Sequence, residues 1–288
     1  MSYHETLSFH TLQQANKPKY AVFCDFDETY FAHSITDESR KALMDLETFI
    51  HSHHLDHKIL LGWVTGSSLS SVLAKMKRGG FRYLPHFVAG DLGTEITYFS
   101  EEGQVSDKDW EARLQESNFS HDLVEEIKQT LSKKYEIALV PQTQHGFSRY
   151  KINYYYKSLD ESIDKRALEA IRRLAREHGI GVNINRCNPL AGDPENSYDV
   201  DFIPLRTGKP YIVDFILDKF AIERENSFAF GDSGNDVDML KKNRTWLSGG
   251  ECDSRSQVAP FPYDRRQLYG WNFRSAKSPY QTIRSVLR

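Results

Sequence analysis

Short, continuously apolar runs alternate with amphipathic stretches over the first ninety residues. Tyr20–Cys24 is such a run, and Asp25 ends it. Thr36 then has the character of an N-cap, with Asp37 and Glu38 near the positive end of the helix dipole. Leu43, Leu46 and Ile50 follow at helical spacing. Ile59–Val64 is a second apolar run. Ser68 opens a helix with Leu69, Val72, Leu73 and Met76 on one face, and Gly79-Gly80 closes it. Phe87–Ala89 is a third strand. Strands without a polar face, alternating with helices, predict a parallel sheet covered on both sides.

The pattern changes after Gly93. Ser120–Lys134 reads as an amphipathic helix, with Leu123, Ile127 and Leu131 spaced by four. In Arg149–Lys157, Tyr150, Ile152, Tyr154 and Tyr156 face one way, and Lys151, Asn153 and Tyr155 the other. That alternation predicts a half-exposed antiparallel strand; Tyr154, Tyr155 and Tyr156 are expected as packing residues, with stacking against a base or sugar as the alternative. Asp160–His178 is a further helix. Ile180–Arg186 and Tyr198–Pro204 alternate again. From Gly208 the first pattern resumes, with a helix to Phe220, a buried strand at Ser227–Phe230, a helix from Asn235 and a short strand at Thr245–Ser248. Ser278-Pro279 starts a last short helix. The expected fold is α/β: a Rossmann-like parallel-sheet core of residues 1–92 and 207–288, interrupted by an α+β module at 93–206. The first 18 residues, polar and without period, are expected to form a loose arm.

Composition narrows the function classes. Apolar residues at 39% and charged residues at 27% fit an ordered chain rather than a disordered one. With 37 Lys plus Arg against 40 Asp plus Glu, no basic excess favours nucleic acid or an anionic membrane. No apolar run approaches the roughly 20 residues of a membrane span, and no secretory signal pattern opens the chain. Three cysteines (Cys24, Cys187 and Cys252) do not suggest a disulfide framework, so a cytoplasmic location is expected.

The chemistry concentrates where strands end. Asp25-Phe26-Asp27-Glu28-Thr29 follows the first strand directly, at the edge where ligands bind in open α/β sheets. Two close carboxylates need a cation or a proton between them, and hard oxygen donors favour magnesium. The alternative is a plain turn or helix cap. Gly231-Asp232-Ser233-Gly234-Asn235-Asp236 follows another apolar strand and admits the same two readings. Val64-Thr65-Gly66-Ser67 leaves a strand for a helix, so its hydroxyl and N–H groups suit an anion. Thr207-Gly208-Lys209-Pro210 places a lysine at a helix start. There it is electrostatically out of place unless an anion is near; a surface lysine is the alternative. A Walker loop is excluded, because Lys209 lacks the following Ser or Thr.

These four stretches, in this order, resemble the motifs of the haloacid dehalogenase superfamily of phosphatases, which inserts an α+β cap of the C2 type where the module at 93–206 lies. Gly93-Thr94-Glu95-Ile96 followed by Tyr98 is similar to the sucrose-phosphate-phosphatase branch. The chain as a whole resembles a member of that branch acting on an amino-hexose 6-phosphate. The resemblance implies roles for individual residues. Asp25 is the nucleophile that forms an aspartyl-phosphate, and Asp27 protonates the leaving oxygen and then deprotonates water. Thr65, Gly66 and Lys209 hold the phosphoryl oxygens. Asp25, the Asp27 carbonyl and Asp232 ligate Mg2+, supported by Asn235 and Asp236. Where many relatives carry Gly, this chain has Glu28. The implied partner is a small sugar phosphate, with no nucleic acid and no membrane; the oligomeric state is left open. A phosphomutase on the same scaffold and a non-catalytic sugar-phosphate sensor are the alternatives.

Specificity is expected from the polar strand faces of the cap: Lys151, Asn153, Asn183, Asn185, Arg186, Asp199 and Asp201. Asparagine offers both a donor and an acceptor to hydroxyls, and a carboxylate suits an ammonium. Each could equally be a solvated strand residue. His51, His53, His54 and His57 imitate a metal cluster, but they sit at a polar helix end and are expected to form a solvated loop. Cys24 precedes the nucleophile in a buried strand and is expected to be structural.

Overall fold

The computed structural model describes residues 9–32, 34–142, 148–187, 189, 192–231, 236–243 and 245–248. Cys252 and the expected helix at Ser278-Pro279 lie outside the described residues, as do Asp232 and Asn235. The first half of the chain supplies β1 (His10–Thr11), β2 (Tyr20–Cys24), α1 (Asp37–His53), β3 (Ile59–Val64), α2 (Leu69–Gly79), β4 (Tyr83–Leu84) and β5 (Phe87–Gly90). β6 (Glu95–Ser100), β7 (Gly103–Ser106) and α3 (Lys108–Gln115) follow. Then come α4 (His121–Tyr135), β8 (Leu139–Pro141), β9 (Ile152–Lys157), α5 (Glu161–Glu177), β10 (Ile180–Arg186) and β11 (Ser197–Pro204). α6 (Lys209–Phe220), β12 (Ser227–Gly231), α7 (Val237–Lys241) and β13 (Thr245–Ser248) complete the order.

The large sheet runs β13-β12-β2-β3-β5-β6-β7, parallel except for the β6–β7 hairpin. Successive residues of β2 serve opposite faces. Val22 and Cys24 pack with Leu46, Ile50, Val72 and Met76 of α1 and α2. Ala21 and Phe23 pack with Trp110, Ile212, Ile216 and Met239 of α3, α6 and α7. Both faces being covered is why the run carries no polar position. Burying one such large side chain is worth about 1.5–3 kcal/mol, more than the ~1 kcal/mol span of strand propensity, so burial fixes these strands. The helix starts are local. Thr36 Oγ1 accepts from Ser39 N at 3.1 Å while Ser39 Oγ accepts from Thr36 N at 2.9 Å, a reciprocal cap. Ser68 caps α2 through Ser71 N.

A second, antiparallel sheet has the order β10-β11-β9-β8. One face carries Tyr154, Tyr156, Val200 and Phe202 against Val124, Ile127, Ile171 and Leu174 of α4 and α5. The other face is polar, as the alternation at 151–157 predicts.

Three expectations are corrected. Residues 9–18 do not form a loose arm: β1 pairs in parallel with β4, and Leu12 is buried. Phe9 and Leu12 both pack on the core, but apolar residues scattered in a polar stretch show no period to reveal them. Residues 95–115, expected within the inserted module, extend the large sheet instead, because Ile96, Tyr98 and Trp110 join the core under α6. The histidine end is solvated only in part, with His51 and His57 exposed. α1 runs through His53, and His54, four residues after Ile50, falls on the buried face with its ring 5.6 Å from that of His86. No helix among the described residues is long and apolar enough to cross a membrane.

Candidate active site

Because β12, β2 and β3 are parallel neighbours, with Phe230 beside Cys24 and Cys24 beside Trp63, the residues that follow them emerge together at one edge. Asp25 is buried there, and its N–H donates to Phe230 O at 2.8 Å. The chain then turns tightly: the amides of Tyr30 and Phe31 both donate to Phe26 O, and Glu28 N donates to Phe31 O. Glu28 is exposed with φ 59°, a left-handed conformation costing a side-chain-bearing residue about 1–2 kcal/mol. Glycine would adopt that conformation without the cost.

Lys209 opens α6 and is buried. Its Nζ lies 2.8 Å from Asp25 Oδ1 and 2.6 Å from Asp236 Oδ1. Burial alone would lower its pKa; the charges of Asp25 and Asp236 and hydrogen bonds to both outweigh that, so the net shift is upward and the ammonium stays charged. Two carboxylates thus answer the lysine's misfit with the helix dipole. Room for Asp236 comes from Gly231, where a Cβ would stand 2.5 Å from the Asp236 side chain.

Asp27 is half-buried. Lys75 Nζ donates to its Oδ1 at 2.6 Å, Ser67 Oγ donates to its Oδ2 at 2.9 Å, and Lys75 also donates to Ser67 Oγ at 2.9 Å. This closed triangle fixes the orientation of the carboxylate. Thr65 is buried, and its Oγ1 accepts from Ser67 N at 3.1 Å. The Thr65-Gly66-Ser67 turn is laced to the next loop by Leu92 N donating to Thr65 O and Asp91 N donating to Ser67 O. Asp91, Leu92 and Gly93 all have positive φ, of 49°, 60° and 75°. A Cβ at Gly93 would come 2.9 Å from Ile212 of α6, so this strained loop also sits against the helix that Lys209 opens.

The polar face of the small sheet reaches this edge through Lys151. Its Nζ donates to Asp91 Oδ1 at 2.6 Å and to Gly66 O at 3.3 Å, with both side chains of the ion pair about nine-tenths buried. Lys151→Met would leave Asp91 charged and buried without its cation, a loss of about 3 kcal/mol. At roughly 2–4 °C per kcal/mol for a chain of this size, melting should fall by about 10 °C. Adding Asp91→Asn should recover part of it. An unchanged melting temperature in Lys151→Met would show that the pair does not bind the two sheets together.

On the same face Asp201 lies opposite Asn153 on one side and Asn183 on the other, and accepts from both amides. Asp199 is opposite Asn185 and accepts from Gln142 Nε2 at 2.8 Å. Burial first, then the charges of Asp193 and Asp201, raise its carboxyl to about 6. Arg186 does not join this group. It falls on the alternate position, with its guanidinium over the Tyr198 ring on the helix-covered side. Cys24 is fully buried, and burial pushes its thiol up, consistent with a structural residue.

Two participants, Lys75 and Asp91, are not among the residues the sequence singled out. Lys75 sits two helical turns beyond Ser67 on a helix whose pattern shows only its apolar face, so nothing in the sequence marks it. Asp91 was legible: it is a carboxylate placed directly after the apolar run Phe87–Gly90, the pattern that singled out Asp25 and Asp232.

The family described as sucrose-6F-phosphate phosphohydrolase matches residues 18–250. A kanosamine-6-phosphate phosphatase of Bacillus subtilis is 54% identical over 235 residues, covering 81% of this chain and 83% of the relative. Among solved structures, a haloacid dehalogenase-like hydrolase from Bacillus subtilis superposes with a TM-score of 0.67 at 50% identity, covering 84% of this chain and 85% of that one. The sucrose-phosphatase of Synechocystis, solved with sucrose and phosphate, shares the fold at a TM-score of 0.59 and 22% identity, over 79% of this chain and 82% of that one.

Proposed function

The chain belongs to the sucrose-6F-phosphate phosphohydrolase family of haloacid dehalogenase-type hydrolases, and from that premise we propose that it is a magnesium-dependent phosphatase of a hexose 6-phosphate, with kanosamine 6-phosphate as the substrate. The substrate follows the relative that is 54% identical. The observation that carries the chemistry is the buried Lys209 ammonium between Asp25 and Asp236, at the strand edge shared with the Thr65-Gly66 turn. The catalytic core then comprises the chain through α3 and again from Thr207. The stretch between them, carrying the small sheet, is the cap.

The donor set fits a hard divalent cation. Asp25, the Asp27 carbonyl and Asp236 offer only oxygen, and Asp232, four residues before Asp236, adds another carboxylate. Among the described residues, Asp25 and Asp236 set two carboxylates against the one Lys209 ammonium. Magnesium bound here supplies the positive charge that lets an anionic nucleophile approach a phosphoryl dianion. An Asp25 carboxylate oxygen attacks phosphorus, and the bond from phosphorus to the sugar oxygen breaks. Asp27 gives that oxygen its proton. Water then attacks the phosphorus of the aspartyl-phosphate and passes a proton to Asp27, regenerating the Asp25 carboxylate and releasing inorganic phosphate. The Thr65 hydroxyl, the Gly66 N–H and the Lys209 ammonium hold the phosphoryl oxygens throughout. Lys75 and Ser67 keep the Asp27 carboxylate oriented.

Phosphate release should be fastest from an amino-hexose 6-phosphate in a panel of sugar phosphates with magnesium. It should vanish on chelation and return when magnesium is restored. Full turnover in chelator, or no turnover of any hexose phosphate, would remove the proposal.

A further inference from the structure

Three side chains form one row across the polar face of the cap sheet. Asp201 lies in the interior strand β11, with Asn153 of β9 opposite it on one side and Asn183 of β10 on the other. Asn153 Nδ2 donates to Asp201 Oδ1 at 2.5 Å, and Asn183 Nδ2 donates to Oδ2 at 3.2 Å. Asp201 is only 7% exposed. Yet among the described residues no lysine, arginine or histidine lies within ion-pair distance of it. A carboxylate has about four acceptor positions, and the two amides fill two of them. Amides orient a carboxylate but do not neutralise it. Burial raises the Asp201 carboxyl while the Lys151 charge, beyond contact distance, opposes that, so the row presents a buried acid whose charged form a ligand cation in direct contact would stabilise.

The position of this row relative to the core follows from Lys151. It lies two residues before Asn153 on the same face, and its Nζ touches Asp91 and the Gly66 carbonyl beside the Thr65-Gly66 turn. At roughly 3.3 Å per strand residue, the backbone of the Asp201 row lies about 7 Å along the sheet from that of Lys151. A sugar whose phosphate is held at the turn would direct its ring toward the row. Asp199, one row further on, is differently engaged. It accepts from Gln142 and lies close to Cys187 and Asp193, and burial together with Asp193 and Asp201 raises its carboxyl to about 6. Its row is also the farther of the two from Lys151 along the strands.

We propose that Asp201, oriented by Asn153 and Asn183, is the residue that recognises the ammonium of an amino-sugar phosphate and so sets the preference for it over the hydroxyl sugar. The proposal rests on the amino-sugar phosphatase reading above. A charge-assisted bond to the ammonium is lost when the carboxylate becomes an amide, whereas a hydroxyl can still bond to that amide. Discrimination of this kind is carried by the ratio of kcat/KM for the two substrates.

The test uses the full chain with kanosamine 6-phosphate and glucose 6-phosphate. The wild type should favour the amino sugar. Asp201→Asn should lower the amino-to-hydroxyl ratio of kcat/KM by roughly ten- to a hundredfold. Asp199→Asn should lower it less. Should Asp201→Asn fail to fold, Asn183→Ala removes one of the two orienting donors and should lower the same ratio at least about threefold. A wild type that favours the amino sugar while Asp201→Asn, or Asn183→Ala in its place, keeps the wild-type ratio overturns the assignment. So does a larger loss in Asp199→Asn than in Asp201→Asn. A wild type without any amino-sugar preference overturns the underlying reading instead, and the assignment with it.

Discussion

Asp25→Asn should lower turnover of a sugar phosphate by about a thousandfold or more, a rise of at least roughly 4 kcal/mol in the barrier. The substitution is isosteric, and its site is buried, so little else changes shape. An amide oxygen is a poor nucleophile toward a phosphoryl group and forms no stable acyl phosphate. The fold should survive, because Lys209 keeps Asp236 as a charged partner at 2.6 Å and can still donate to an amide oxygen at position 25. Thermal melting should therefore shift by only a few degrees while turnover collapses. The decisive measurement is single-turnover trapping of phosphoryl-enzyme. Wild type should accumulate it with a substrate whose second step is slow, and Asp25→Asn should give none. A phosphoryl-enzyme in the variant would move the nucleophile elsewhere.

Much of this was legible in the residues, because the physics that made it so is local. β2, β3 and β12 are covered on both faces, so their apolar runs are uninterrupted, and each ends where polar chemistry begins. Thr36, Ser68 and Ser120 mark helix starts, since each hydroxyl accepts from a backbone amide three residues on. The alternation at 151–157 separates a helix-covered face from the face that carries Asn153. What could not be read depends on residues distant in sequence. Lys75 meets Asp27 only because α2 runs back along the sheet from Ser67. Lys151 meets Asp91 only because the two sheets abut. Glu95–Ser106 looks like the inserted module until β6 is seen to pair with β5, since a hairpin with one buried face has the same alternating pattern whichever sheet it joins. Arg186 was misassigned for a simpler reason: position 186 has the opposite parity to 183 and 185, so it lies on the other face.

Lys209→Met should be damaging in two separable ways. The first is catalytic. Lys209 is the cation that touches the Asp25 carboxylate, and its removal takes away a fixed positive charge where phosphoryl charge must be held, so turnover should fall by roughly a hundred- to a thousandfold. The second is structural. Asp25 and Asp236 are both buried, and the ammonium at 2.8 and 2.6 Å is their shared partner. Methionine fills most of the volume but leaves two carboxylates facing each other. Breaking one buried pair costs about 3–5 kcal/mol, and here two contacts go at once, so metal-free melting should fall by at least about 10 °C. Lys209→Arg keeps the charge but forces a wider planar group into a site with 4% exposure, so it should recover stability only in part. Magnesium separates the two effects. With the competing ammonium gone, the divalent ion takes over its compensation of the carboxylates. Its addition should therefore raise the melting temperature of Lys209→Met more than that of wild type, while turnover stays low. The measurement is a thermal shift with and without magnesium alongside phosphate release. Wild-type melting and wild-type turnover in Lys209→Met would mean that the buried ion triad neither holds this edge of the sheet nor serves the reaction.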